Sequence, residues 1–194
     1  QQMFTVAYFG IRPYHITDVN RKYSFGDYLA LRFVTCASAV MVGIGYVAVS
    51  GYSRLKALVI ILMVCYKVID GFADVYEAEF QRDGRLFLTG KSNTFRTMLS
   101  VASFLSALMF TKNLVLASGV AVLAQLLGVL IFNVAVIKDV PGVTWGFDKK
   151  HCLELLKDCS LLFFSVFLDL YIFSSAKYAI NRQMPDAANA ISTA

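Results

Sequence analysis

Apolar residues run through this chain in long blocks, and the polar residues fall mostly between them. Five blocks come close to the ~20 residues that a helix needs to cross a ~30 Å hydrocarbon core. They cover residues 28–49, 55–80, 93–110, 114–137 and 161–180. Residues 1–10 read as the end of a sixth. The block 114–137 is apolar on every side of a helix, without the alternation a membrane β-barrel strand needs. The pattern predicts an all-α polytopic membrane protein: an antiparallel bundle of about five full transmembrane spans plus one partial span.

The connectors give this bundle a direction. Residues 12–24, 81–92 and 138–157 share one side with Arg12, Arg21, Lys22, Arg82, Arg85, Lys91, Arg96, Lys138, Lys149, Lys150 and Lys157. The other side holds Arg54, Lys56, Lys112, Lys177 and Arg182. Eleven against five predicts that the first side is cytoplasmic, by the positive-inside bias. The opposite turns, at 51–54 and 112–113, are short, so the helices they join are antiparallel neighbours. Residues 138–147 carry Pro141, Gly142, Gly146 and the single tryptophan, Trp145. They read as an interfacial linker. Residues 149–158 (KKHCLELLKD) read as a short amphipathic surface helix. The predicted organisation is 1–138 as N-lobe membrane helices, 139–158 as linker, and 159–194 as the first helix of a second lobe.

Composition agrees. The 194 residues are 58% hydrophobic and 16% charged, against about 25% charged in soluble domains. Mean hydropathy is +0.62. A net charge of +5 raises nucleic acid as a partner, but the cations are spread over short connectors, so none is expected. Cys36 and Cys65 lie within apolar runs, where cysteine acts as a small hydrophobe. Cys152, Cys159, His15 and His151 have no metal-ligand spacing. Both ends stop without caps or charged tails, so a fragment of a longer protein is expected.

The chemistry concentrates in the second full block. A charge inside a membrane helix costs at least ~2.5–3.5 kcal/mol and needs a partner or a wet cavity. Lys67, Asp70, Asp74 and Glu77 sit at i, i+3, i+7 and i+10, within an arc of roughly 80°. They form one polar stripe, read either as the wall of a hydrated cavity or as a self-satisfied Lys67–Asp70 pair in a packed bundle. Arg32, one turn inside the first block, either snorkels to the headgroups or faces the cavity and grips phosphate. Arg96 reads as an interfacial anchor. Asp169, mid-helix in the last block, is a lumen candidate, with Lys177 two turns on. Gln125 and Asn133 read as interhelical hydrogen-bonding residues.

Two enzyme motifs are only half present. Asp70-x-x-x-Asp74 is similar to the aspartate pairs of membrane prenyltransferases, without their second acidic motif. Asp70-Gly71-Phe72-Ala73 opens like the signature of CDP-alcohol phosphotransferases, but Asp74 stands where an arginine is expected.

Three stretches together resemble bacterial polysaccharide biosynthesis flippases of the multidrug/oligosaccharidyl-lipid/polysaccharide exporter superfamily. The first is Arg12-Pro13-Tyr14, Thr17-Asp18, Tyr23-Ser24-Phe25, Asp27-Tyr28 and Arg32. The second is Asp70, Ala73-Asp74-Val75-Tyr76, Gln81, Arg85, Gly90-Lys91-Ser92 and Arg96. The third is Lys177-Tyr178-Ala179-Ile180. The resemblance covers nearly the whole chain. It departs from the family pattern at Ala176, where proline is common, and at Glu77 and Glu79, where small or neutral residues are common.

The resemblance implies two six-helix lobes around a central cavity, of which this chain is the N-terminal lobe and the start of the second. It implies movement of an undecaprenyl-pyrophosphate-linked oligosaccharide across the bacterial cytoplasmic membrane by alternating access, for O-antigen, capsule or teichoic-type polymers. Arg32 and Lys67 are then expected to hold pyrophosphate, with Asp70, Asp74, Glu77, Asp169 and Lys177 lining the cavity. No cofactor is expected beyond a proton or sodium ion that Asp70, Asp74 or Asp169 takes up. Membrane lipids, the lipid-linked oligosaccharide and other polysaccharide assembly proteins are the expected partners. Two rivals remain. One is a cation-coupled multidrug exporter of the same superfamily. The other is a membrane prenyl- or phospho-transferase built on Asp70 and Asp74.

Overall fold

The computed structural model describes residues 8–183. Among them every regular element is helical. A short α1 (Ile11–Thr17) precedes α2 (Phe25–Val49), α3 (Arg54–Arg82), α4 (Leu86–Thr111), α5 (Leu114–Val129) and α6 (Lys149–Gln183). The sixth apolar stretch expected over residues 1–10 lies almost wholly outside the described residues.

Local chemistry sets the helix ends. Ser24 and Asp27 form a reciprocal capping box at the start of α2: Asp27 N–H donates to Ser24 Oγ at 3.1 Å, and Ser24 N–H donates to the Asp27 carboxylate at 3.1 Å. Each bond satisfies a backbone donor that the first turn leaves open. Asn113 caps α5 by accepting from Val115 N–H and Leu116 N–H at 3.0 and 3.3 Å. Lys112, with φ 50°, makes the tight reversal before it. As expected, α2 joins α3, and α4 joins α5, through a few residues only.

The C-terminal end of α5 does not stay α-helical. It widens into a π-turn (Leu130–Val134) and tightens into a 3-10 turn (Val136–Asp139). A π-turn inserts one residue and rotates the remainder of the helix about its axis. Here Asn133 is fully buried and donates to the Ala73 carbonyl at 3.5 Å. Gln125 likewise reaches Asp70, at 3.4 Å, so both residues bridge helices as expected.

Three helices are long and apolar enough to cross a membrane: Phe25–Val49, Leu86–Thr111 and the combined Leu114–Asp139. Their outward faces carry exposed Phe33, Met41, Met98, Leu105, Leu123 and Ile131. Small residues line the contacts. Gly43 of α2 meets Val64 of α3, and Gly128 of α5 lies against Arg96 of α4. Close approach through small residues is how helices associate where lipid removes the hydrophobic drive.

The exception is α3. At 29 residues it is long enough to cross, but its ionisable stripe sets it apart from those three. Near its C-terminal end every residue from Ala73 to Phe80, just over two turns, is buried. Helices α1, α2, α4 and α5 all pack against it. The helix that carries the ionisable stripe is thus central, and its apolar neighbours α2, α4 and α5 face outward.

The expected break after residue 158 does not occur. The amphipathic stretch and the apolar run after it form one helix, α6. Its first turns dock through buried Leu155 and Cys159, which removes the need for a separate surface helix.

Candidate functional site

Three carboxylates of the α3 stripe meet three arginines from three other helices. Arg32 of α2 donates to Asp74 at 2.8 Å. Arg12 of α1 donates to the other oxygen of Asp74 and lies 3.6 Å from Glu77. Arg96 of α4 spans the stripe, reaching Asp70 at 2.8 Å and Glu77 at 2.9 Å. The side chains of Arg32, Arg96, Asp74 and Glu77 are all at most 5% exposed.

Polar neighbours fix the geometry. Tyr8 donates its hydroxyl to Asp70 at 3.2 Å, and its carbonyl accepts from Arg32 at 2.9 Å. Arg12 also donates to Gln81 at 3.3 Å. Thr89 at the start of α4 donates to the Glu77 carbonyl at 2.8 Å. Three positive and three negative groups balance within this cluster, which is what low dielectric demands of buried charge.

Lys67 stands at the edge of the cluster. Its ammonium is 3.6 Å from Asp70 and its side chain is 38% exposed. It lines a cavity of about 240 Å³ between α3, α4 and α5, with Ser100 and Ser118 among the lining residues.

The structure therefore brings together Arg32, Lys67, Asp70, Asp74 and Glu77. It does not bring Asp169 to them: Asp169 is exposed on α6. The side chain of Lys177 lies outside the described residues. Arg32 is neither snorkelling nor facing open water here, because Asp74 holds it in the interior. Arg96 is not an interfacial anchor but a buried bridge between two carboxylates.

A second cluster is not legible from the sequence pattern. Glu79 accepts from Arg82 at 2.6 Å and pairs with His15 at 2.7 Å. Arg82 also lies 3.5 Å from Asp18, which accepts the hydroxyl proton of Tyr28 at 3.0 Å. His15 stacks on Tyr28 with ring centroids 3.8 Å apart. Burial lowers the pKa of His15 below the usual histidine value and outweighs the opposing pull of Glu79. That shift favours the neutral imidazole. Glu79 alone carries a signal, since a carboxylate in an apolar run needs a partner. Glu77 and Glu79 are thus both paired with arginine.

A third set of contacts ties the linker to α2. Gly26 N–H donates to the Thr144 carbonyl at 3.2 Å. Ser24 donates to the Gly146 carbonyl at 2.5 Å, and Asp148 N–H donates to Asp27 at 2.9 Å. Trp145 packs edge-on against Phe25 with centroids 5.1 Å apart. Arg21 donates to the Gly142 carbonyl.

Among the described residues no group of three or more His, Cys, Asp or Glu is placed to hold a metal ion. What the fold and site define so far is an all-helical chain with an ionic core and three helices long and apolar enough to cross a membrane. Comparison with protein-family models, curated proteins and solved structures finds no match.

Proposed function

We propose that this chain is the N-terminal lobe, and the start of the second lobe, of a flippase for lipid-linked oligosaccharides in the bacterial cytoplasmic membrane. In this reading five helices span the bilayer, with α3 and α6 shielded by further helices. The observation that carries it is the sharing of Asp74 by Arg12 and Arg32, from two different helices. A pyrophosphate offers arginine the same bidentate oxygens as a carboxylate, with more charge. Cargo can therefore take over these guanidiniums as the helices move. Lys67 at the exposed edge is the first cation such a cargo meets.

The test is surface polysaccharide export in cells carrying Arg32→Ala, Lys67→Ala, or the paired Arg32→Ala/Asp74→Ala. Loss of export, with protein still in the membrane, supports the site. Normal export by all three variants sinks it.

A cation-coupled drug exporter is the second reading, favoured by three acidic groups on one helix. It requires a proton or sodium ion to displace arginine from Asp70 or Asp74. Drug accumulation with and without a proton gradient separates the two. A magnesium-dependent transferase needs Asp70 and Asp74 free to hold metal, and both are engaged by arginine.

A further inference from the structure

Where α6 begins, it leaves an apolar groove of about 460 Å³ against α2. Leu31, Phe33 and Val34 form one wall; Phe147, Leu153 and Leu156 form the other. Phe33 and Leu153 are 68% and 70% exposed. Lys149 lines the same groove.

We propose that this groove holds one acyl chain of an anionic phospholipid, with its phosphate on Lys149 and Lys150. Charge complementarity selects that occupant. At 100° per residue, Lys149, Leu153, Lys157 and Lys150 fall in one arc of roughly 100° on α6. All three lysines are exposed. The acidic residues of the same turns point elsewhere. Glu154 and Asp158 lie 4.0 and 3.9 Å from Lys22. Asp148 accepts from Lys150 N–H at 2.9 Å, capping the helix. Asp27 is buried, taken up by Ser24, Asp148 and His151.

The depth also fits. The groove lies at the basic end of the bundle, two residues from Trp145, which is 58% exposed. Tryptophan favours the headgroup zone, so an apolar slot there with lysines above it matches a lipid's tail and head. A slot of this size is within the ordinary range for small ligands. The site is separate from the ionic core and stands or falls independently of the flippase reading.

Trp145, the sole tryptophan in the sequence, supplies the readout. The protein is reconstituted in phosphatidylcholine vesicles containing either dibrominated phosphatidylglycerol or dibrominated phosphatidylcholine. Quenching of Trp145 is expected to be stronger with the anionic lipid. Each lysine-to-alanine change at 149 and 150 is expected to weaken that preference about fivefold. Lys149→Arg is expected to retain it, and Lys112→Ala at the opposite end to leave it unchanged. Equal quenching by the two lipids overturns the proposal. So does the absence of quenching by either, which would mean that protein fills the groove. Preference unaffected by both lysine changes overturns it as well.

Discussion

The guanidinium of Arg32 lies 2.8 Å from the carboxylate of Asp74, with both side chains buried, and the pair ties α2 to α3. Breaking one partner of a buried pair leaves an uncompensated charge, which costs about 3–5 kcal/mol. Arg32→Ala is therefore expected to lower thermal stability in detergent by that order. Asp74→Ala strands Arg12 as well and is expected to cost at least as much. The double variant is expected to be more stable than the sum of the single losses predicts. Strict additivity in a double-mutant cycle would show that the two residues do not couple.

Lys67 should behave differently. Its side chain is partly exposed and its pair with Asp70 is 3.6 Å long, so screening reduces its worth to roughly 0–1 kcal/mol. Lys67→Ala is expected to unfold within a few degrees of the parent and yet to lose polysaccharide export. A large fall in stability would make Lys67 a structural residue instead.

Gly128 of α5 packs directly against Arg96 of α4. A β-carbon there would sit 2.7 Å from Arg96 Cγ and 3.3 Å from Arg96 Cα. Helix propensity favours Gly128→Ala by roughly 1 kcal/mol. Arg96 cannot yield freely, because Asp70 and Glu77 both hold it. Overpacking, at about 1–3 kcal/mol, is expected to win, giving a net loss in thermal unfolding. A gain would show that Arg96 moves without penalty.

His15 predicts a pH dependence. Its folded pKa is lowered by burial, so the unfolded chain takes up the proton first. Its contribution is complete above the unfolded value of about 6.5. It is lost as pH falls from there towards the lower folded value. Stability in detergent should therefore decline below about pH 6.5, and His15→Phe should flatten that part of the profile. An unchanged slope in the variant would assign the effect to another group.

Gly26 is covered by the linker, and a β-carbon there would run into the Gly146 and Trp145 carbonyls. Gly26→Ala is expected to lift residues 144–146 from α2. Two readouts report this: a shift in Trp145 emission as it leaves Phe25, and faster trypsin cleavage at Lys149 and Lys150. Unaltered emission and cleavage would mean that the linker adapts in place.

The helices themselves show how far the pattern of residues reaches. Helices α2, α4 and α5 were legible, as were the short turns between neighbours, because a long apolar run has no alternative to a helix in lipid. The polar stripe on α3 was legible too, since period alone puts Lys67, Asp70, Asp74 and Glu77 on one face. The continuity of α6 through residue 158 was not. The stretch looks amphipathic by itself, and only its docking through Leu155 and Cys159 carries the helix onward.

Composition and period were enough to read the apolar helices, the basic end of the bundle and the helix on which the carboxylates lie. Those depend on composition and period, which are local. The convergence of Arg12, Arg32 and Arg96 on those carboxylates, the meeting of His15 with Glu79 and the separate place of Asp169 on α6 emerge only from the packing of the helices. The arginines and their partners are 19 to 65 positions apart in the chain, and no local pattern encodes such a distance. Packing around α3 brings them together, because each buried charge is stable only where another helix supplies its opposite.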